Sequence, residues 1–158
     1  MTEGVPNMDK KDKKDNKDLV TLEIPARPEF LGLVRAVVAA AANVESDFRD
    51  DRDEDLRLAV SEATTNAIEA HQLIGLDNRI SVQAAMSDDR IEVVVRDQGP
   101  GFDPAALEAM PEPGTPERLF FENGLGIPLM RELADESDIS SSSDGTTVRL
   151  VIYTRRYL

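Results

Sequence analysis

The stretch VSEATTNAIEAH, residues 60–71, lies in the longest helical pattern of the chain and decides the fold. From residue 56 to residue 74, small and apolar side chains recur every three or four positions, which places them in one stripe along about five turns of helix. The stripe consists of Leu56, Ala59, Val60, Ala63, Ala67, Ala70 and Ile74. Acidic residues at 50–54 favour a helix start there, and Gly75 favours its end. We therefore predict one long helix that buries a single face.

The segments on either side of this helix carry further strand and helix patterns. They predict strands at 19–24, 79–86, 91–95, 138–143 and 146–153, and helices at 30–42 and 127–134. Asp144-Gly145 predicts a hairpin turn between the last two strands. The Gly- and Pro-rich stretch 98–123 is longer than an ordinary connection, which predicts a functional loop such as a lid. This order predicts an α+β two-layer sandwich, with helices on one face of a mixed, mostly antiparallel sheet.

The chain of 158 residues divides into a charged tail, residues 1–18, and one globular domain, residues 19–158. Five lysines in the tail balance five acidic residues, so the net charge of −13 lies on the domain. We expect the tail to be disordered because it has too little apolar area to bury. An acidic domain repels phosphate backbones, which argues against direct nucleic-acid binding. The acidity fits a basic protein partner and fits plain solubility equally well.

Several classes of protein are excluded by composition. The chain has no cysteine, so it has no disulfide, thiolate nucleophile or cysteine metal site. None of its apolar runs approaches the roughly 18 residues that a membrane span requires. The N-terminal residues include no apolar segment typical of a signal peptide. We therefore expect a cytoplasmic protein that does not insert into membranes.

Two residues on the long helix, Glu62 and Asn66, form a first candidate site. They are four positions apart, so they lie within about 40° of each other around the helix axis, beside the apolar stripe. A carboxylate there can take a proton from a hydroxyl, and an amide oxygen can bind Mg²⁺. By itself the spacing also fits an ordinary half-exposed polar pair.

Three turns carry the other candidate residues. Asp97-Gln-Gly99-Pro-Gly101 follows a Val-rich strand, where the acid can accept from an exocyclic amino group and the glycines let the backbone approach a planar ligand. Asn123-Gly124-Leu125-Gly126 precedes a helix, whose N-terminus favours phosphate. In the third turn, Thr146 can complete the adenine end of a pocket. Each turn alone is equally compatible with an ordinary structural turn.

Taken in this order and spacing, the four motifs resemble the N, G1, G2 and G3 boxes of the GHKL ATPase superfamily. Within it, the chain resembles the anti-sigma-factor serine kinases of the RsbW and SpoIIAB type. The resemblance rests on VSEATTNAIEAH (60–71), VVRDQGPGFD (94–103), NGLGIPLM (123–130), GTTVRL (145–150) and IPARPEFLGLVR (24–35). It covers the chain from about residue 20 to its end.

The resemblance implies a role for each candidate residue. Glu62 would be the general base, and Asn66 would hold Mg²⁺ beside ATP. The remaining roles are adenine and loop contacts by Asp97, Gly99, Gly101 and Thr146, phosphate contacts by Gly124, Leu125 and Gly126, a lid at 102–123, and a position on the partner-binding and dimer-facing surface for Arg35. Arg35 is also compatible with a side chain that only covers apolar surface.

The implied function is that of an anti-sigma factor and protein serine/threonine kinase. It would bind a sigma factor and use MgATP to phosphorylate an anti-anti-sigma antagonist with a STAS domain, and it would act as a homodimer. One departure matters: Glu122 stands where several relatives place a basic residue that reaches the γ-phosphate. The alternative is therefore a nucleotide-gated anti-sigma module without kinase activity, and a third possibility is a detached histidine-kinase catalytic part. For His71 we expect a helix-end or pocket-rim position.

Overall fold

The computed structural model describes residues 18–45, 48, 50–75, 77–103 and 126–155. Residues 1–17 of the predicted tail, most of the predicted lid, Gly124, Leu125 and Glu122 lie outside these residues, whereas Asp18, predicted as the last residue of the tail, begins the first strand. The elements, in chain order, are β1 (Asp18–Ile24), a 3₁₀ turn (Pro28–Phe30), α1 (Leu31–Glu45), α2 (Asp50–Leu73), β2 (Ile80–Met86), β3 (Arg90–Arg96), α3 (Gly126–Leu133), β4 (Glu136–Ser142) and β5 (Gly145–Tyr153). Every strand and helix predicted from the sequence is present, with ends that differ by at most three residues.

The five strands form one sheet in the order β1-β2-β3-β5-β4. All four pairings between the described strands are antiparallel. The expected mixed sheet is therefore antiparallel throughout the described residues. The two strands β3 and β4 run in the same direction, but β5 lies between them, so they form no parallel pair. The predicted hairpin is confirmed, with Ser142 opposite Gly145 at its turn.

Helices cover one face of this sheet. Residues alternate between buried and half-buried along β2 and β3, and the buried ones lie opposite one another across the strands, as Val82 does with Val95. Both α1 and α2 contact the sheet on this buried side, and α3 packs against α2. The α+β two-layer sandwich is thus confirmed. No helix in the described part of the chain is long and apolar enough to cross a membrane.

The apolar stripe of α2 is buried as predicted, with two exceptions: Ala70 is half-buried and Ile74 is exposed. Leu56, Ala59 and Ala63 are completely or almost completely buried. Ile74 is 52% exposed, because the helix ends at Leu73 and the chain leaves the core there. The core position predicted for Ile74 is therefore wrong.

A buried arginine fastens the start of α2 to the far end of the sheet. The Arg52 side chain is 1% exposed, and its Nε donates to the carbonyl oxygen of Tyr153 at 3.0 Å. Its two terminal nitrogens donate to Asp55 and Asp135. The same Asp135 oxygen accepts from the Tyr153 amide at 2.8 Å. One guanidinium thus joins α2, the end of β5 and the residue before β4.

Candidate functional site

Asp97 follows the last residue of β3 and joins that strand to the start of β5. Its amide donates to the carbonyl oxygen of Thr146 at 3.0 Å. Its Oδ1 accepts from the amides of Gly99 at 2.9 Å and Thr146 at 3.2 Å. Among the described residues, Oδ2 accepts no hydrogen bond. One carboxylate oxygen therefore fixes the turn, and the other is available to a ligand.

The half-buried position of Asp97 raises the pKa of its carboxyl group above the usual value. Burial is the largest cause, since it disfavours the charged form. The amides of Gly99 and Thr146, which donate to the carboxylate, act in the opposite direction. A carboxylate kept partly out of water forms stronger hydrogen bonds than an exposed one. Asp97 is therefore suited to reading a polar ligand group.

The turn at Gly99 lies directly on α2. A Cβ added at Gly99 would be 2.6 Å from the Cβ of Ala70, so only glycine permits this approach. Ala70, Asn66 and Glu62 are spaced by four residues and lie along one half-buried side of α2. The rise of the helix puts Asn66 about 6 Å and Glu62 about 12 Å from Ala70 along the axis. The Asp97–Gly101 turn and the pair Glu62 and Asn66 therefore lie along the same face of α2.

Two other glycines allow backbone to pack on backbone at the same end of the sheet. Gly101 has φ +73°, and a Cβ there would be 2.0 Å from the carbonyl oxygen of Ser142. Gly145 has φ +141°, and a Cβ there would be 2.0 Å from the carbonyl oxygen of Asp97. Both positions require glycine for conformation and for space. The structure therefore brings Asp97, Gly99, Gly101 and Thr146 together, as the motifs predicted.

Ser141 belongs to this cluster, although sequence reasoning did not single it out. Its Oγ accepts from the amide of Phe102 at 2.9 Å and shares a hydrogen bond with the Thr146 hydroxyl at 2.8 Å. It lies beside an open cavity of about 390 Å³ between residues 100–103 and 141–143. Ser141 stands in a run of four serines, so nothing in the sequence distinguishes it from its neighbours.

His71 is buried where α2 meets the Asp97 turn. The ring is 0% exposed, its Nε2 accepts from the amide of Gln98 at 2.8 Å, and its Nδ1 lies 3.0 Å from the carbonyl oxygen of Asn78. The position near the helix end agrees with the prediction. The complete burial and the contact with Gln98 were not foreseen, because they depend on a residue 27 positions away.

The other predicted residues are placed as follows. Gly126 is the first residue of α3, which packs against α2. Arg35 is exposed on α1. Gly124 and Leu125 lie outside the described residues. Arg35 stays a predicted partner contact, since nothing in the structure tests that role.

The sequence of residues 24–152 matches the family model of the histidine kinase-like ATPase domain. The chain belongs to that family. Among curated proteins, this histidine kinase-like ATPase domain is 37% identical to the serine-protein kinase RsbW of Bacillus velezensis, over 86% of each chain. It is 34% identical to the serine-protein kinase RsbW of Bacillus subtilis, again over 86% of each chain. Family membership implies that the domain uses ATP.

A solved structure of the RsbU and RsbW domains of a Mycobacterium tuberculosis protein has the same fold. The TM-score is 0.61 at 21% identity, and the match covers 85% of this chain and 32% of that longer one. At this identity the likeness concerns the fold alone. It agrees with the α+β sandwich that the strand order and helix packing establish.

A magnesium nucleotide fits the residues that the structure describes. These residues contain no cluster of three or more histidine, aspartate or glutamate side chains suited to a metal. Mg²⁺ commonly binds through one or two protein ligands together with phosphates and waters, so a single amide such as Asn66 suits it. The free Oδ2 of Asp97 suits the amino group of adenine.

Proposed function

We propose that this histidine kinase-like ATPase domain is an anti-sigma factor and protein serine/threonine kinase. It binds a sigma factor of RNA polymerase and phosphorylates an anti-anti-sigma antagonist with a STAS domain. The observation that carries the proposal is the contact between Gly99 and Ala70, which sets the Asp97 turn on the helix that bears Glu62 and Asn66. The 37% sequence identity to a serine-protein kinase supports the proposal that the substrate is a protein.

The adenine end of the nucleotide lies at Asp97. Its Oδ2 accepts from the exocyclic amino group, while Oδ1 stays occupied by the amides of Gly99 and Thr146. Because those two amides hold the carboxylate in place before any ligand arrives, binding costs little ordering of the side chain. The Thr146 hydroxyl, held by Ser141, borders the same end of the pocket.

The phosphates lie toward Asn66 and the N-terminus of α3. The oxygen of Asn66 holds Mg²⁺, which neutralises charge on the phosphates when it is bound. The N-terminus of α3, which begins at Gly126, favours the phosphates because the helix dipole favours negative charge there. The nucleotide thus runs along α2 from Ala70 toward Glu62.

Glu62 lies one helical turn beyond Asn66, at the place where the protein substrate meets the γ-phosphate. Its carboxylate takes the proton from a serine or threonine hydroxyl as that oxygen bonds to the γ-phosphorus and ADP departs. Positioning and charge stabilisation supply most of the rate in such transfers. Glu62 is half-buried, so part of its side chain is accessible to a hydroxyl from outside the domain, as this role requires.

The partner surface is on α1. Its solvent side carries an apolar strip, the α1 strip, formed by Leu33, Ala36, Val37, Ala40 and Val44. We assign the homodimer contact to this strip. Arg35 is two positions from Leu33 and so points about 160° away from it around the helix. Arg35 therefore contacts the sigma factor or the antagonist rather than the second protomer. The proposed assembly acts in the cytoplasm.

Phosphotransfer from labelled ATP tests the proposal. The wild-type protein is incubated with [γ-³²P]ATP, Mg²⁺ and a STAS-domain antagonist from the same organism, and acid-stable label on the antagonist is measured. Glu62→Gln keeps the size of the side chain and removes the base, so we expect label to fall by about 100-fold or more while ATP still binds. Glu69→Gln, on an exposed position of the same helix, is the matched control. ATP binding without transfer by the wild type would overturn the kinase and favour the nucleotide-gated module, and acid-labile label would indicate a histidine kinase.

A further inference from the structure

His71 is the only histidine of the chain, and it is not among the residues proposed to contact the nucleotide. It is completely buried, and both ring nitrogens have hydrogen-bond partners on different loops. Nε2 faces the amide of Gln98, which can only donate, so Nε2 must carry no proton. Nδ1 faces the carbonyl oxygen of Asn78, which can only accept, so Nδ1 must carry one. The surroundings therefore select the neutral ring protonated at Nδ1.

The two loops that His71 contacts also contact each other. The Asn78 side-chain amide donates to the side-chain oxygen of Gln98, which closes a ring of three residues. The Gln98 amide held by His71 lies between Asp97 and Gly99, the two residues that form the proposed adenine turn. This amide points at a fully buried ring, and a backbone donor turned into the protein without an acceptor is costly, so the turn depends on Nε2 to keep this conformation.

We propose that His71 is a positioning residue that holds the Asp97 turn in the conformation that reads adenine. It acts through the backbone of Gln98 and does not touch the nucleotide. The inference rests on the proposed nucleotide site, since it concerns the geometry of that site. It also explains why a polar ring lies in an otherwise apolar part of α2, where a leucine would fill the space but leave two backbone groups without partners.

The tautomer of His71 is the first test. Long-range ¹H–¹⁵N spectra of the wild-type protein at neutral pH give a single histidine signal set, because the sequence has one histidine. We expect the pattern of a neutral ring with its proton on Nδ1. A ring protonated at Nε2, or one that exchanges freely between the two forms, would overturn the proposal without any substitution.

A matched pair of variants is the second test. The Oε1 of glutamine reaches the place of Nε2, so His71→Gln keeps an acceptor for Gln98. Asparagine is shorter and reaches only the place of Nδ1, so His71→Asn keeps the contact with Asn78 and loses the one with Gln98. Affinity for MgADP is measured by calorimetry, and stability is measured by urea unfolding without nucleotide. We expect affinity to fall by about tenfold or more in His71→Asn, and by much less in His71→Gln.

The outcomes separate this inference from the proposed function. Equal affinity in the two variants would show that Nε2 does not position the turn. A loss of affinity that follows the loss of stability in both variants would show a purely structural role, and it would also overturn the proposal. If the wild-type protein binds no MgADP, the nucleotide site itself fails, whatever the tautomer of His71.

Discussion

Asp97 accepts two backbone hydrogen bonds through one oxygen and offers the other to the ligand, so the two roles can be separated by substitution. In Asp97→Asn, the amide oxygen can still accept from Gly99 and Thr146. Its NH₂ group would face the adenine amino group, donor against donor. We expect MgADP affinity to fall by about 10- to 100-fold, since a charge-assisted hydrogen bond is lost, with little change in stability.

Calorimetry with two nucleotides makes this prediction specific. Inosine diphosphate carries an acceptor where adenine carries its amino group, so Asp97→Asn should discriminate less against it than the wild type does. Asp144→Asn, which removes the same charge from an exposed position of the β4–β5 turn, is the control. If both variants bind MgADP as the wild type does, Asp97 does not read adenine.

The raised pKa of Asp97 predicts opposite effects of pH on affinity and on stability. Below its folded pKa the carboxyl group is protonated and no longer accepts from adenine, so affinity falls at a higher pH than an ordinary aspartate would give. Between the unfolded and folded pKa values the folded state binds more protons than the unfolded state, so the contribution of Asp97 to stability rises as the pH falls.

The measurement compares wild type with Asp97→Asn over a series of acidic pH values. MgADP titration and urea unfolding are both recorded, and the difference between the two proteins isolates the contribution of Asp97. A wild-type affinity that stays constant until the pH range of a solvated aspartate would contradict the raised pKa.

Among single residues, those whose role depends on close neighbours in the chain could be predicted from the sequence. Gly99 and Gly101 follow Asp97 within four positions, and a strand end with two glycines is visible without a structure. Ser141 and His71 could not be assigned in this way. Their roles come from hydrogen bonds to Phe102 and Gln98, which are 39 and 27 positions away in the chain.

At the scale of elements, the close approach of the Asp97 turn to the start of β5 depends on Gly145. Gly145→Ala would bring a Cβ to 2.0 Å from the carbonyl oxygen of Asp97, in a backbone conformation that alanine rarely adopts. We expect a loss of at least about 1–3 kcal/mol in the free energy of unfolding. MgADP affinity should fall with it, because Asp97 must move.

Gly32→Ala is the matched control for this prediction. Gly32 lies in α1, where an added Cβ meets no atom within 4 Å. Alanine favours helix over glycine, so the same substitution should raise the free energy of unfolding, by up to about 1 kcal/mol. Urea unfolding of both variants measures the two signs, and a stable Gly145→Ala protein with normal affinity would contradict the close packing.

The Arg52 contacts predict that the start of α2 is essential to the fold. Arg52→Met keeps most of the side-chain volume but leaves Asp55 and Asp135 without their cation. We expect a loss of about 3–5 kcal/mol in the free energy of unfolding, as for other buried pairs deprived of one partner. Arg57→Met removes an exposed pair with Asp53 and should cost about 0.3–0.5 kcal/mol. If urea unfolding gives equal, small losses in the free energy of unfolding for the two variants, the burial of Arg52 adds nothing to stability.

Element positions were predictable because each depends on a short pattern. The α2 stripe, the two alternating strands and the Asp144-Gly145 turn all lie within windows of a few turns or strands. The strand order was not predictable, since β5 enters between β3 and β4 through pairings more than 50 residues apart. The burial of Arg52 was missed for the same reason: residues 50–54 indicated only the start of a helix, and the partners of Arg52 at Asp135 and Tyr153 lie 83 and 101 positions away.

At the scale of the whole molecule, the acidic surface and the α1 strip are the features that bear on assembly. The strip places large apolar side chains in contact with water, with Leu33 47% and Val44 69% exposed. A net charge of −13 opposes association of two copies unless apolar contact offsets the repulsion. Dimer formation should therefore strengthen with salt, which screens the charges and leaves the apolar contact.

Light scattering after size-exclusion chromatography tests the assignment of the α1 strip. The wild-type protein should have the mass of two chains. In the double variant Leu33→Glu, Val44→Glu, two carboxylates would be buried without partners at the two ends of the strip, so the mass of one chain is expected. Leu58→Glu places the same charge at a 44% exposed position of α2, outside the strip, and should leave the dimer intact. A double variant that stays dimeric would show that the dimer interface does not include the α1 strip. A wild-type protein that is monomeric at high salt would contradict the proposed homodimer. It would not bear on the proposed nucleotide site along α2.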